Sequence, residues 1–330
     1  MIFSPMATGN GAYVVHKTLE RYLPHYKVAP YHPYRTLCPV SLLPLGRFSR
    51  ADLIHTTPDY AIFHKRLGIP LVITFHNYVL DSFMTPYSSS LQNIHYRIDL
   101  RWFTSLAVNK AHTITAVSHF TANLAKHDLG LEKDIRVIYN GVDEQVFFPA
   151  NRSRANSDTI KVLFCGNLTR RKGVQWLLPI ANKLNTGIEI HYTAGLRTND
   201  SLADHPRIRC LGKIAYADMP DVYRQADLLL FPTVREGLSL AALEAMACGL
   251  PLVASNCSSL SELLDHDQGG FLCPLGDVQV FADKINQLAD DAHLRREMGE
   301  YNRAKVEKAF TLERMVKEYQ YLFDEVLDTR

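Results

Sequence analysis

The sequence predicts an α/β protein built on parallel, doubly wound sheets, and three observations indicate this class. Short apolar runs typical of buried strands alternate along the chain with segments of helical pattern. The chain has 330 residues, a length that suggests two domains, and the stretch 149–159 is polar without periodicity, as expected of a linker. Its composition, 47% hydrophobic and 21% charged, is ordinary for a globular protein. We therefore expect one domain over 1–150 and a second over 151–330.

The first part of the chain contains five predicted strands, an irregular stretch over 24–50 with five of the 16 prolines, and a short helix over 60–67. Two of the predicted strands end on residues that suit a ligand site. The strand 1–4 leads to a loop with Gly9 and Gly11, which is a poor dinucleotide fingerprint because its third glycine is missing. The loop is either a tight bend or a place where a ligand approaches the backbone. The strand 71–75 ends on His76, and ligands bind at the carboxyl ends of parallel strands. His76 is therefore a candidate site residue, although a lone histidine is often structural.

An aromatic stretch over 78–103 overlaps a predicted helix over 91–110 that carries Arg97 and Arg101. The helix is either a core helix with solvated arginines or a surface that meets an acceptor or a membrane. Residues 1–150 contain 14 Lys and Arg against 10 Asp and Glu, a modest excess that suits anionic partners such as phosphorylated lipids. The excess is too small to indicate nucleic acid, and no nucleic-acid motif accompanies it.

The second part of the chain repeats strand and helix. Strands are predicted near 160–165, 188–193, 208–211, 228–231 and 252–254, and helices near 173–184, 218–226, 238–247, 259–264, twice within 277–309, and over 312–327. Within this pattern Glu236 lies on the loop after a strand and Glu244 lies in the following helix. Helical side chains lean toward the helix N-terminus, so both carboxylates can reach one cleft. The amides of Leu238, Ser239 and Leu240 would attract an anion there. The alternative is two surface glutamates.

The spacing E-x7-E, followed by the letters AMACGLP, resembles the retaining glycosyltransferases of family four. Further matches follow the family's order: VIYNGVD at 137–143, CGNLTRRKG at 165–173, LGK at 211–213, ADLLLFPT at 226–233 and GFL at 270–272. The resemblance implies the GT-B fold, in which two doubly wound Rossmann-like domains face each other across a cleft. It also implies that the N-terminal domain binds the acceptor and the C-terminal domain the nucleotide sugar. The last helix, about 312–327, would pack back on the N-terminal domain.

The resemblance implies a role for each residue that matches one of these motifs. Glu244 would accept the ribose hydroxyls, Glu236 would contact the donor sugar, and Lys172 with an arginine would contact the diphosphate. The family's usual arginine is replaced here by Asn167. Either Arg170 or Arg171 takes its place, or the chain binds the diphosphate more weakly.

The remaining candidates would orient the ligands. His76 and the amides of Leu238, Ser239 and Leu240 would orient the sugar, and Ser239 stands where family members usually have glycine. The loop with Gly9 and Gly11 would approach the donor phosphates or the acceptor.

The predicted activity is a retaining transfer of sugar from a nucleotide-diphosphate sugar to a glycan or lipid-linked acceptor. No cofactor and no metal are expected, because Lys172 and its neighbours already supply positive charge, and the one D-x-D spacing, Asp265 to Asp267, falls in a turn. The alternatives are a nucleotide-sugar epimerase of the same fold and a non-catalytic nucleotide-sugar-binding module. Six scattered cysteines without a C-x-x-C pair favour a cytoplasmic protein, with peripheral contact at the inner face of the membrane as a further expectation.

Overall fold

A computed structural model describes residues 1–45, 50–150, 159–194 and 202–329, which form two compact units. The first unit comprises Met1–Asn140 with Glu313–Arg330, and the second comprises Gly141–Leu312. Each unit contains one six-stranded sheet in which every described pairing is parallel. The α/β, doubly wound class predicted from the sequence is therefore confirmed. Most of the predicted linker, 149–159, lies outside the described residues.

The sheet of the first unit has the strand order β2-β1-β3-β4-β5-β6. Its strands are β1 Ile2–Ala7, β2 Tyr26–Tyr31, β3 Leu53–Thr56, β4 Leu71–Phe75, β5 Thr113–Ala116 and β6 Arg136–Val137. Its helices are α1 Gly11–Tyr22, α2 Ser90–His95, α3 Arg101–Lys110, α4 His119–Leu129 and α11 Leu312–Asp328, with a π-helical turn at Tyr96–Leu100 joining α2 to α3.

Two segments of the first unit differ from the sequence-based expectation. The proline-rich stretch 24–50, expected to be irregular, contains strand β2. Because β2 is the edge strand of the sheet, Pro30 can lie in it without breaking a ladder on both sides. The helix expected over 60–67 is a 3-10 turn at Pro58–Phe63.

The sheet of the second unit has the order β12-β11-β10-β7-β8-β9. Its strands are β7 Ile160–Phe164, β8 Ile188–Tyr192, β9 Ile208–Cys210, β10 Leu228–Phe231, β11 Leu252–Ser255 and β12 Gly270–Cys273. Its helices are α5 Val174–Ala181, α6 Met219–Gln225, α7 Leu240–Ala247, α8 Leu260–Leu263, α9 Val278–Asp290 and α10 Ala292–Ala309. The strand order reverses between β7 and β10, which makes their adjoining carboxyl ends the topological switch point.

The division between the units differs from the expected boundary at residue 150, because it falls after Asn140. Val142 donates its N–H to the carbonyl of Phe310 at 3.0 Å and accepts from the N–H of Leu312 at 2.9 Å. Phe147 packs against Tyr223, with ring centroids 5.9 Å apart. These contacts join residues 141–150 to the second unit.

Helix α11 belongs to the first unit, although it follows all the other helices in the chain. The ring of Phe323 lies 5.8 Å from that of Tyr26 and 5.1 Å from that of His55. Arg136 on β6 pairs with Glu325 at 3.1 Å. The chain therefore passes between the two units twice. Among the described residues no helix combines the length and the apolar character that a membrane crossing needs.

Candidate functional site

Two loops meet at the switch point of the second unit. One follows β7 and contains the 3-10 turn Arg170–Lys172, and the other follows β10. The carbonyl of Arg171 accepts from the N–H of Val234 at 2.8 Å, and the hydroxyl oxygen of Thr233 lies 3.1 Å from the same carbonyl oxygen. These contacts hold the basic turn beside the loop that carries Glu236.

Gly173 allows the two loops to approach this closely. Its φ angle is +82°, in the left-handed region that favours glycine. A Cβ atom at this position would lie 2.0 Å from the carbonyl oxygen of Pro232 in the other loop. No side chain fits in that space, so a residue other than glycine would push the basic turn away from Glu236.

Glu236 is the centre of the hydrogen-bond network in these loops. Its Oε1 accepts from Nζ of Lys172 at 2.7 Å, from the hydroxyl of Thr233 at 2.7 Å and from the guanidinium of Arg171 at 3.3 Å. The residue is only 7% exposed. No described residue donates to its second oxygen, Oε2. Three donors thus fix the carboxylate through one of its two oxygens.

The charge of Glu236 is set by this network. Burial raises the pKa of the carboxyl, but the charges of Lys172 and Arg171 and the hydrogen bonds from Lys172 and Thr233 outweigh it and hold the pKa below its ordinary value. Glu236 is therefore an ionised acceptor at neutral pH.

Two serines that the sequence analysis did not select hold the backbone of Glu236. Its N–H donates to the hydroxyl of Ser258 at 3.0 Å, and its carbonyl accepts from the hydroxyl of Ser259 at 3.2 Å. Both serines follow β11, the strand beside β10. The rule that the carboxyl ends of neighbouring strands share one edge could have identified them.

Glu244 lies inside α7 and binds two tyrosines. Its Oε1 accepts from the hydroxyl of Tyr216 at 3.0 Å and its Oε2 from that of Tyr223 at 2.8 Å. The residue is 5% exposed. Burial raises its pKa to about 7, although both tyrosine hydroxyls lower it. Nothing in the sequence pattern had pointed to either tyrosine as a partner of Glu244.

The helix that carries Glu244 begins two residues later than expected. It starts at Leu240, and the hydroxyl of Ser239 caps it by accepting from the N–H of Ala242 at 3.3 Å. Ser239 therefore satisfies one of the amides of the first turn. Leu238 lies before the helix and is buried.

The three cations of the basic turn have different surroundings. Lys172 binds Glu236 and its ammonium also lies 5.2 Å from the centre of the Phe231 ring. Arg171 donates to the carbonyl of Arg235 at 2.6 Å as well as to Glu236. Arg170 is exposed, and no ion pair joins it to another described residue. Arg171 is therefore engaged in the loop structure, while the charge of Arg170 faces solvent.

The candidate residues of the first unit lie at the ends of β1 and β4. Gly9 has a φ of +77°, which the turn after β1 requires, and Gly11 opens α1 with open space where a Cβ atom would lie. Asn10 between them caps the helix by accepting from the N–H of Tyr13 at 2.7 Å. His76 is half-buried, and its Nε2 lies 3.1 Å from Nε2 of His16. Burial lowers the pKa of His76 to about 3, so the ring is neutral.

The single D-x-D spacing serves a turn in the structure. Asp265 accepts from the hydroxyl of Tyr301 at 2.6 Å and pairs with Lys305 at 2.8 Å, and Asp267 has a φ of +63°. Over the described ranges, no three His, Cys, Asp or Glu side chains are grouped so that they could hold a metal ion. The contacts of Asp265 tie the turn after α8 to α10.

An apolar stripe lies exposed along α2, the π-helical turn and α3 in the first unit. Its members are Leu91, Ile94, Ile98 and Trp102, the last of which is 60% exposed. They recur at helical spacing and so lie on one face. Arg97 beside them is exposed, whereas Arg101 is tied to Asp128 by an ion pair of 2.7 Å. The charge of Arg101 is therefore paired within the first unit.

Comparison with known proteins relates this chain to enzymes that transfer sugars. Residues 2–146 match the family described as Glycosyltransferase Family 4, and residues 159–291 match that described as Glycosyl transferases group 1. The N-acetyl-alpha-D-glucosaminyl L-malate synthase of Bacillus anthracis is 27% identical over 327 residues, covering 92% of this chain and 82% of the synthase. A D-inositol 3-phosphate glycosyltransferase of Paenarthrobacter aurescens is 29% identical over 259 residues, covering 70% of this chain and 61% of that enzyme.

Solved structures resemble the whole chain. Sucrose-phosphate synthase from Thermosynechococcus elongatus matches with a TM-score of 0.85 at 18% identity and covers 100% of both chains. The Anabaena protein HepE, solved in complex with UDP-glucose, matches with a TM-score of 0.79 at 19% identity, covering 98% of this chain and 99% of HepE. At this identity the likeness concerns the fold.

Proposed function

We propose that this chain, whose residues 2–146 and 159–291 match glycosyltransferase family models and whose fold is that of GT-B glycosyltransferases, transfers a sugar from a nucleotide-diphosphate sugar to a glycan or lipid-linked acceptor. The transfer retains the anomeric configuration. The bond between the anomeric carbon and the diphosphate oxygen breaks, the acceptor hydroxyl attacks on the same face, and its proton passes to the leaving phosphate.

The observation that carries this proposal is the state of Glu236. It is ionised, held through Oε1 by Lys172, Arg171 and Thr233, and open at Oε2. An ionised oxygen fixed at a switch point is a strong acceptor for sugar hydroxyls. Glu236 therefore contacts the donor sugar in the proposed complex. The carboxylate needs no rearrangement to do so, because its position is set before the ligand binds.

The diphosphate is bound in this proposal by Lys172 and Arg170. Arg171 is occupied by Glu236 and by the carbonyl of Arg235, so Arg170 replaces the arginine expected at Asn167. Each cation that comes within about 4 Å of the diphosphate would contribute roughly 4 kcal/mol at an effective dielectric constant near 20, before the energy of desolvation is subtracted. The amides of Ser239 and Leu240 are further candidates for the phosphate oxygens.

Glu244 binds the ribose in this proposal. Its two oxygens already accept hydrogen bonds from Tyr216 and Tyr223, which shows that each can accept from a hydroxyl. The Anabaena relative in fold was solved with UDP and with UDP-glucose, so uridine diphosphate sugars are the first donors to test.

The proposed reaction proceeds without a divalent metal. Its leaving group is neutralised by Lys172 and Arg170, and Asp265 is engaged by Lys305 and Tyr301. We expect transfer in excess EDTA at the rate measured without it. Loss of transfer in EDTA, with recovery in magnesium or manganese, would contradict this part of the proposal.

The acceptor is bound by the first unit in this proposal, and a lipid-linked acceptor would bring the apolar stripe to a membrane. Leu91, Ile94, Ile98 and Trp102 would enter the headgroup region beside the exposed Arg97. Ile98→Ser with Trp102→Ser should reduce sedimentation with anionic vesicles, whereas Leu67→Ser, which changes an exposed leucine outside the stripe, should not. Equal binding by all three proteins would reject the membrane contact.

Calorimetry with UDP and a turnover assay with UDP-glucose test the assigned roles. At pH 8, where Glu244 is mostly ionised, Glu244→Ala should weaken UDP binding by about 1.5–3 kcal/mol, because ribose hydroxyls lose a charged acceptor. Glu236→Gln should lower turnover while leaving UDP affinity nearly unchanged. Glu300→Gln, which changes an exposed glutamate on α10, should alter neither. Equal loss of UDP affinity in the first two variants would refute the division of roles, and epimerised donor without transfer would favour an epimerase.

A further inference from the structure

A continuous chain of buried hydrogen bonds leads from His76 into the sheet of the first unit. Nε2 of His76 lies 3.1 Å from Nε2 of His16, and Nδ1 of His16 lies 2.7 Å from the hydroxyl of Tyr26. The same hydroxyl lies 2.7 Å from Nδ1 of His55. Nε2 of His55 lies 2.7 Å from the hydroxyl of Thr74. These contacts join helix α1 to strands β2, β3 and β4.

The chain ends on a backbone carbonyl. The hydroxyl of Thr74 lies 2.6 Å from that of Thr115, which in turn lies 3.3 Å from the carbonyl oxygen of Ile73. Thr74, Thr115, His16 and His55 are fully buried, so water does not replace any of these bonds.

Each member of the chain has one hydrogen to donate. Burial and the neighbouring imidazoles lower the pKa of His16 well below its ordinary value, and burial does the same for His55. The two rings are stacked with centroids 4.4 Å apart, an arrangement that two imidazolium ions would not tolerate. All three histidines are therefore neutral, and a neutral imidazole has one N–H and one acceptor nitrogen.

The terminal carbonyl sets the direction of the first bonds. A carbonyl can only accept, so Thr115 donates to Ile73. Thr115 has no second hydrogen, so Thr74 donates to it, and the hydroxyl of Thr74 accepts from His55. His55 thus has its hydrogen on Nε2 and an acceptor at Nδ1. The buried hydroxyl of Tyr319 interacts with Thr74 and Thr115, and it can donate to the oxygen of either threonine without changing these directions.

The donor and acceptor assignments continue through Tyr26 and His16 to His76. Tyr26 donates to Nδ1 of His55, so its oxygen can only accept from His16. His16 therefore has its hydrogen on Nδ1, where the hydroxyl oxygen of Ser4, 2.7 Å away, is a second acceptor. Nε2 of His16 is left as an acceptor. The remaining contact, at 3.1 Å, is a hydrogen bond only if His76 donates from Nε2.

We propose that His16 is a positioning residue that holds His76 in the Nε2–H tautomer and presents Nδ1 of His76 as a hydrogen-bond acceptor. Nδ1 of His76 has no hydrogen-bond partner among the residues that the structure describes. In the proposed transfer it accepts from a hydroxyl of the bound sugar. A neutral ring in this tautomer has no proton at Nδ1 to give to the leaving phosphate, so His76 orients the sugar and does not act as a general acid there.

Long-range nitrogen–proton spectra of protein labelled with nitrogen-15 histidine test the tautomer directly. The signals of His76 are assigned by their loss in His76→Gln. In the parent protein we expect a single tautomer of His76, with the hydrogen on Nε2. Thr115→Val removes the donor to the terminal carbonyl and frees Thr74 to donate to His55, so the chain can reverse. We then expect signals of the Nδ1–H tautomer of His76, although the hydrogen bonds of Thr115 described here go to Thr74 and Ile73 and not to His76.

Thr104→Val is the matched control, because Thr104 is buried in the same unit and its hydroxyl has no hydrogen-bond partner within the described part of the chain. It should leave the spectrum of His76 unchanged. Tyr26→Phe is a second variant, in case Thr115→Val does not fold, and it should also release the tautomer because it breaks the chain between His16 and His55. A change at His76 in either folded variant, absent in the control, supports the proposal.

An Nδ1–H tautomer in the parent protein would overturn the proposal. So would spectra of His76 that are identical in the parent and in every folded variant of the chain. The tautomer is measured without substrate, so this result does not depend on the proposed transfer. The acceptor role of Nδ1 does rest on that transfer, and it fails separately if UDP-glucose bound to the protein leaves the Nδ1 signal unchanged.

Discussion

Replacing Glu244 by Gln should make the unliganded protein more stable above neutral pH. In the folded chain burial raises the pKa of this carboxyl to about 7, against 4.5 for the unperturbed group. Between these two values the folded state binds a proton that the unfolded state releases. The contribution of Glu244 to stability is therefore present below about pH 4.5 and is lost as the pH rises through about 7. Glutamine has the same shape and no charge to bury, and it can still bond to Tyr216 and Tyr223.

The size of the effect follows from the shift in pKa. One pKa unit corresponds to about 1.4 kcal/mol, so the ionised Glu244 destabilises the fold by about 3 kcal/mol at pH 8. Urea unfolding of the parent and of Glu244→Gln should give equal free energies at pH 4.5. The variant should gain progressively up to pH 8, where its advantage should be about 3 kcal/mol. Glu300→Gln, at an exposed position, is the control for the loss of one negative charge.

Parallel stability curves for the parent and Glu244→Gln would refute this reasoning, because they would mean that burial does not disfavour the charge of Glu244. A variant that is less stable at every pH would mean that the carboxylate contributes more through Tyr216 and Tyr223 than its burial opposes. The predicted gain in stability accompanies the loss of nucleotide affinity expected when this carboxylate is removed, as is common for residues retained for function.

Three further predictions concern the second unit, each measured by urea unfolding at pH 7. Gly173→Ala should destabilise the fold by at least about 1–3 kcal/mol, because its Cβ would lie 2.0 Å from a carbonyl oxygen. Gly68→Ala in the first unit, where φ is similar and the space is open, should cost less. Equal losses in the two variants would contradict the close contact at Gly173. Asn302→Ala should cost about 1–3 kcal/mol for each of two buried carbonyls that lose a donor; a neutral result would show that water replaces it. Lys172→Met should cost about 1–3 kcal/mol because Glu236 keeps only the neutral hydroxyl of Thr233 and the more distant guanidinium of Arg171, and an unchanged stability would contradict the pairing.

Local pattern was sufficient for most of the strands. Leu228–Phe231 is fully buried in β10, as its unbroken apolar run predicts for a parallel strand covered on both faces. The rule that the carboxyl ends of parallel strands meet at one edge of a sheet predicted that the polar loops after β7 and β10 lie together. The structure brings Lys172 and Glu236 to 2.7 Å there. The roles proposed for these residues toward a ligand stay predictions.

Other features depend on residues distant in the chain. Strand β2 was not predicted because the prolines of the stretch 24–50 indicate irregular structure, and Pro30 fits in the strand because β2 lies at the edge of the sheet. The boundary after Asn140 depends on bonds from Val142 to Phe310 and Leu312. The sequence pattern within 141–150 does not indicate contacts with residues so distant in the chain.

The sequence by itself determined the α/β class, the doubly wound sheets and the candidate carboxylates and cations, because strand and helix periods and strand-end positions are local properties of the chain. Only the tertiary structure decided which partners those groups have. Ten of the 14 histidines lie in 1–150, but nothing in their spacing indicates that His16 and His55 stack. Partner choice depends on burial, which raises the pKa of Glu244 and keeps those two rings neutral. Burial is a property of the packed sheets and helices, and no short stretch of sequence contains it.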